Sequence, residues 1–383
     1  MSDQENQASR FARDMAANAE KMFKATQLIA NTRDEDVNIG TTPKHLVMRR
    51  DKVELFRYEP MAKATVKTPV LLAYGLIGRY TMADLQPDRS LVRSLLSKGL
   101  DLWLIDWGQP SRAERWLSID DYVDDYIDAA VDRIAQETGH DKVTLLGICE
   151  GGVFTTCYAA LYPEKVKNLV ITITPIDFHA DVKDKAAHHG FLNVWTRSLD
   201  PEDIDKLVDT YGVLPGEFMS SVFSMMTPMR SLTKYNVDLI DVVDDEAKFM
   251  NFLRMEKWLA DRPHHPGEAA KQWLKELYQE NRLVDGSFVL SGREVDLKSI
   301  TAPVLNVFAL DDHIIPPDCS RALGAKVGST DYTEIPLPGG HVGLFVSSKS
   351  QGKLSQSIAD WLVARDANSS EAKPSEAKPA SAT

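Results

Sequence analysis

The stretch Lys142–Phe154, KVTLLGICEGGVF, leaves this chain little choice of architecture. Val143, Leu145 and Leu146 form a short apolar run that leads into Gly147-Ile148-Cys149-Glu150-Gly151-Gly152, and a helical pattern starts straight afterwards. A strand that reverses into a helix within a few residues needs small residues at the bend, and glycines stand two positions to either side of Cys149. Such a turn lifts the side chain at its centre clear of the backbone. A thiolate is a strong nucleophile, formed from a thiol with an ordinary pKa of about 8.5. A free cysteine is more often a small core residue, but a thiol boxed by glycines at a strand-to-helix junction is hard to explain as packing. Cys149 is the candidate nucleophile.

The flanking segments repeat the strand-helix rhythm. Residues 10–30 carry Phe11, Met15, Met22 and Ile29 at helical spacing, a stripe that docks on its own domain or on a partner. His45–Arg49 and Val53–Tyr58 alternate apolar and polar around Asp51-Lys52, which predicts a β-hairpin. Thr68–Tyr74 and Asp101–Asp106 read as buried strands, with Arg89–Lys98 a helix between them that ends at Gly99. Ser118 opens a helix with Asp121 at the capping-box position, and Ile119, Tyr122, Val123, Tyr126, Ile127, Ala130, Val131 and Ile134 trace one face before Gly139 closes it. Strand 143–148, a helix from about Glu150 to Tyr162, and strand Asn168–Thr174 follow. Strands separated by helices in this way build a parallel sheet.

From Asp177 to Leu297 the beat changes to acidic helical segments, among them Val237–Leu259 and Glu268–Tyr278, with no clear strand before Ser287–Leu290. An inserted, mostly helical cap is the expectation, a common device for enclosing a substrate. Its methionines Met219, Met225, Met226, Met229, Met250 and Met255 either line an adaptable apolar pocket or make up ordinary cap core. The rhythm returns with strand Pro303–Leu310, a short helix after Pro317, strand Tyr332–Leu337 and a closing helix Leu354–Ala364. The predicted organisation is an N-terminal helical arm (1–40), core (41–176), cap (177–297), core (298–365) and a tail (366–383). That tail holds two copies of Ser-Glu-Ala-Lys-Pro, too poor in apolar residues to order itself.

Composition narrows the function. The formal net charge of −12, with no run of Lys or Arg, argues against a nucleic-acid surface. The three cysteines, Cys149, Cys157 and Cys319, lack metal-type spacing and form an odd set, which fits a reducing cytoplasm better than a disulfide framework. The N-terminus shows no apolar signal region, and no run suits a transmembrane segment. The chain reads as cytoplasmic, with no metal site and no cofactor.

A nucleophile raised at such a turn calls for an acid after a late strand and a histidine after the last one, the chain order of the α/β-hydrolase fold. Asp312 follows the strand ending at Leu310, and His341 follows Pro338-Gly339-Gly340. Asp311 competes with Asp312 for the orienting role, and His313 is either a wall of the site or a loop cap. His188-His189 and His264-His265 lack ligand spacing and are expected in surface loops. In this reading His341 takes the proton of Cys149, and Asp312 holds the imidazole tautomer and steadies the imidazolium. The backbone N–H of Glu150 supplies one oxyanion donor, and a second comes from Gly75-Leu76-Ile77-Gly78, with Ile77 favoured. A thiol suits acyl transfer: a thioester donor passes its acyl group to sulfur at little cost, and the group stays activated for an alcohol.

The Gly147–Gly152 box resembles the lipase-like box of polyhydroxyalkanoate synthases. The likeness extends through Leu102–Pro110, Asp141–Gly152, Asn168–Phe178, Asn251–Trp258, Ala302–Arg321 and Asp331–Val346, is nearest to the two-component class III type, and covers roughly residues 40–365. It implies an α/β-hydrolase fold with a mainly parallel central sheet flanked by helices and capped by the insertion. It also implies an acyltransferase that polymerises (R)-3-hydroxyacyl-CoA, typically 3-hydroxybutyryl-CoA, into polyester with CoA as the leaving group. By the same resemblance Cys149 is the nucleophile, His341 the general base, and Asp312 the acid that activates the hydroxyl of the incoming monomer. A synthase homodimer, a smaller companion subunit and a place on the surface of cytoplasmic polyester granules are further implications. The competing enzyme class is a Cys-dependent thioesterase or esterase on the same fold. Two positions depart from the family pattern. Glu150 stands where Gln is expected, and facing the cleft it would set a negative charge beside the thiol; Gly78 stands where Asn is common.

Overall fold

The computed structural model describes residues 2–183, 189–226, 228, 233–235 and 237–371. Strands β1 (Lys44–Arg50), β2 (Val53–Tyr58), β3 (Val70–Ala73), β4 (Leu102–Asp106), β5 (Val143–Ile148), β6 (Val166–Thr172), β7 (Val304–Ala309) and β8 (Tyr332–Leu337) form one eight-stranded sheet among the described residues. Their order is β1-β2-β4-β3-β5-β6-β7-β8. The β1–β2 and β2–β4 pairs are antiparallel, and every later pair is parallel. The chain turns back once, from β3 to the outer β4, before winding the other way through β5. The helices that connect the parallel strands pack on both faces of the sheet.

Each face has its own apolar core. One packs Trp103, Leu145 and Leu169 of the sheet against Tyr122, Ile134, Phe154 and Tyr158. These last four come from the helical segment Asp121–Thr138, called α3, and from α4 (Glu150–Leu161). The other packs Leu72, Leu146 and Val170 against Leu91 and Leu95 of α2 (Leu91–Ser97) and Ile358 and Leu362 of the closing helix Ser348–Glu371. Every residue of β5 is buried, as expected of a strand covered on both faces. α3 opens with a π-helical stretch, Asp121–Ile127, and ends at Gly139 with φ 72°.

Between β6 and β7 the described residues are mostly helical, with differences from the sequence reading. Val237–Leu259 is two helices, Asp238–Val242 and Glu246–Ala260, because the Asp245 carboxylate accepts from Lys248 N–H and caps a fresh start. A two-residue ladder, Val213–Leu214 against His265–Pro266, stands where no strand was expected. Met219 is buried, whereas Met225 is 56% exposed; Met229 and His188 lie outside the described residues, and His189 is exposed.

The arm is one helix, Ser2–Asn31, longer than its apolar stripe. Ala25 and Leu28 pack on Leu239, Val243 and Phe249, while Phe11, Met15 and Phe23 stay exposed. The closing helix runs to Glu371, so the expected disordered tail begins as helix, and the Asp366 carboxylate accepts from Lys67 N–H. Residues 372–383 lie outside the described residues. No helix among the described residues is long and apolar enough to cross a membrane.

Candidate active site

Cys149 sits between β5 and α4 with φ 55° and ψ −121°, a conformation that costs a non-glycine residue about 1–3 kcal/mol. The glycines around it have ordinary φ; they make room. A Cβ on Gly147 would meet Thr155 Oγ1 at 2.2 Å, one on Gly151 would meet Ala73 O at 2.3 Å, and one on Gly152 would meet Thr174 Oγ1 at 1.8 Å. α4 can therefore start hard against β3 and β6, and the bend is forced onto the cysteine. Cys149 N–H donates to Thr172 O at 2.9 Å, anchoring the turn to the end of β6. The positive end of the α4 dipole lies next to the half-buried sulfur.

β7 and β8 deliver the other two groups to the same end of the sheet. Asp312 is buried in the loop after β7; its Oδ1 accepts from Ile314 N–H and Ile315 N–H, both at 2.9 Å, and its Oδ2 lies 2.8 Å from His341 Nδ1. Asp311 is exposed and accepts from Gly339 N–H, so the geometry selects Asp312 as the partner of the imidazole. The Cys149 sulfur is near enough to His341 to act on its charge. Burial pulls its pKa down, but the Asp312 carboxylate and then the charge of the Cys149 sulfur outweigh that and raise it to about 10. His313 is exposed, and its carbonyl accepts from Phe191 N–H.

The expected oxyanion loop needs correction. Leu76 N–H and Ile77 N–H donate to Glu150 Oε2 at 2.6 and 3.1 Å, so Ile77 does not offer a free donor. The Glu150 side chain is fully buried. Its other oxygen, Oε1, lies 2.7 Å from Nε2 of His265. His265 is 2% exposed and so is no surface-loop residue; its short ladder with Val213–Leu214 seats it inside. Glu150 N–H is at the first position of α4, where a helix leaves its amide groups without intrahelical partners.

The cap segment that carries His265 grips the same loop twice more. Trp258 Nε1 donates to Arg79 O at 3.1 Å, and Arg262 Nη1 donates to Ile77 O at 3.0 Å with its guanidinium over the Phe223 ring. A Cβ on Gly78 would meet Tyr74 at 3.2 Å, so that ring would have to give slightly, and would make an ordinary contact with Trp258 at 3.5 Å. Among the described residues no cluster of His, Cys, Asp or Glu is placed to hold a metal ion.

Residues 68–348 match the family model described as alpha/beta hydrolase fold, and residues 6–95 match that of the Poly-beta-hydroxybutyrate polymerase (PhaC) N-terminus. The chain is 44% identical over 330 residues to a protein of Allochromatium vinosum named poly(3-hydroxyalkanoate) polymerase subunit PhaC, covering 86% of this chain and 90% of that one. A protein of the same name from Synechocystis sp. is 42% identical, over 90% of this chain and 91% of its own. Among solved structures, a thermophilic esterase from Thermogutta terrifontis superposes with TM-score 0.50 at 16% identity, over 85% of this chain and 99% of that one, a likeness of fold alone. Identity of this order along nearly the whole of both chains, joined to the N-terminal match, places the chain in the poly(3-hydroxyalkanoate) polymerase PhaC family.

Proposed function

We propose that the chain is a polyester synthase that polymerises (R)-3-hydroxyacyl-CoA, 3-hydroxybutyryl-CoA foremost, through a thioester on Cys149. The observation that carries this reading is the strained cysteine at the head of α4, facing an imidazole fixed by a buried carboxylate. The sulfur attacks the acyl carbonyl, the C–S bond to CoA breaks, and the imidazolium gives its proton to the departing thiolate. The neutral imidazole then takes the proton of an incoming 3-hydroxyl as that oxygen attacks the Cys149 thioester; an oxygen ester forms and the sulfur is released. Glu150 N–H is the oxyanion donor in both steps.

Both Asp312 oxygens are engaged and its side chain is 1% exposed. This supports a carboxylate that works through His341 rather than on the incoming hydroxyl. CoA is substrate-derived, and no cofactor takes part. The relatives are named as subunits, which favours a smaller companion subunit; a homodimer on the surface of cytoplasmic granules completes the proposal. The test is incubation of the purified protein with 3-hydroxybutyryl-CoA, with and without a candidate companion. CoA release with turbid polymer is expected, abolished by Cys149→Ala. Release of CoA with free acid alone would favour the thioesterase reading.

A further inference from the structure

Glu150 and His265 lie 115 positions apart in the chain and meet in the interior, one residue from the nucleophile. They are 0% and 2% exposed. A lone carboxylate in such a place is costly, and a buried charge persists only when paired and hydrogen-bonded. The protons can be assigned from the partners. Pro266 O, 3.3 Å from His265 Nδ1, can only accept, so Nδ1 carries a proton. One further proton lies between Nε2 and Oε1, as imidazolium with carboxylate or as imidazole with carboxylic acid. Either way the pair is neutral toward the sulfur, while Oε2 still accepts from Leu76 N–H and Ile77 N–H.

We propose that Glu150 and His265 are positioning residues for the acyl-transfer site. Glu150 fastens the Leu76–Ile77 loop beside the nucleophile, and His265 supplies from the cap the compensation that a carboxylate at position 150 requires. Trp258 and Arg262 hold the same loop by its carbonyls, so the cap segment 258–265 and the loop seat as one unit. The role rests on the reading of Cys149 as the acylated residue. One consequence is specific to the pair: His265 is needed because residue 150 is Glu. A Gln at 150 keeps a carbonyl oxygen for the two N–H groups and offers its NH2 to the Nε2 lone pair, and it buries no charge when the histidine is lost.

The experiment compares wild type, His265→Ala, Glu150→Gln and the double variant. Three readouts are taken: hydrogen exchange at the Leu76 and Ile77 amides, alkylation of Cys149 by iodoacetamide, and single-turnover acylation by 3-hydroxybutyryl-CoA. His265→Ala is expected to speed exchange at both amides and to slow acylation about 10²-fold, the scale of a displaced oxyanion donor. Glu150→Gln is expected to keep exchange at both amides within about threefold of wild type, because its carbonyl oxygen still accepts from them, and adding His265→Ala to it, which leaves an unpaired amide but no buried charge, is expected to cost much less than His265→Ala alone. An equal loss on removing His265 in both backgrounds overturns the proposal, as does failure of both variants to fold. If wild type does not acylate, the polymerase reading fails, and the exchange and alkylation arms still decide the positioning role.

Discussion

Asp312 meets His341 through a single oxygen: Oδ2 lies 2.8 Å from Nδ1, while Oδ1 takes two backbone N–H groups at 2.9 Å each. In Asp312→Asn the amide oxygen can keep the backbone donors, but its NH2 then faces Nδ1. The ring must turn a lone pair there, and in the neutral form an N–H toward the sulfur. Both Cys149 acylation and chain elongation are expected to fall by a common factor of about 10²–10⁴, as for a misassigned general base. Single-turnover acylation and polymer growth measured side by side check this. Loss of elongation with acylation intact would return Asp312 to direct contact with the incoming hydroxyl.

The raised pKa of His341 makes a stability prediction of definite sign. Burial opposes the shift, yet Asp312 and the Cys149 charge carry the folded value to about 10, above the ordinary 6.5. A group whose folded pKa is raised stabilises the fold fully below the unfolded value and loses that contribution as pH rises through the folded one. The margin of wild type over His341→Asn, read from urea midpoints, should therefore be largest below about pH 6.5 and shrink steadily toward about pH 10. A margin that grows with pH contradicts the assignment.

Cys149 carries its strain for function, so removing the side chain should trade activity for stability. Glycine adopts φ 55°, ψ −121° without penalty. Cys149→Gly releases about 1–3 kcal/mol of strain against about 0.4–1 kcal/mol of added unfolded-state entropy. It should melt above Cys149→Ala, with acylation lost in both. Calorimetry of the two variants checks the order; a lower midpoint for glycine would mean that the conformation is not strained.

The parts legible in the sequence are those set by local pattern. Gly147, Gly151 and Gly152 mark the bend because the close approach of α4 leaves no space for a Cβ, and Asp312 follows the fully buried apolar strand β7 while His341 follows β8, an edge strand that is mostly half-buried. What escaped depends on distant contacts. Nothing near His265 announces burial, since its ladder spans two residues and its partner Glu150 is on another element. The same contact removed Ile77 from the oxyanion role. The break at Asp245 was readable as an N-cap, but the apolar periodicity on either side masked it.

Gly152 tests whether room at the turn, rather than flexibility, is what the motif provides. Its φ is unremarkable, yet an added Cβ would lie 1.8 Å from Thr174 Oγ1 and 2.8 Å from Thr174 Cβ and Cγ2. Both residues are buried at the join of α4 and β6, and the Thr174 hydroxyl is tied to Thr172 O, the carbonyl that also accepts Cys149 N–H. Gly152→Ala should cost about 1–3 kcal/mol, the usual toll of overpacking, and should change the rate of Cys149 alkylation because the anchor of the turn moves with it. Adding Thr174→Ala removes the two closest-lying branches but leaves its Cβ, so part of the lost stability should return. Thermal melts of the single and double variants decide the matter: a Gly152→Ala protein as stable as wild type, or one that the second change fails to help, would mean that the crowding at this turn is not what fixes glycine there.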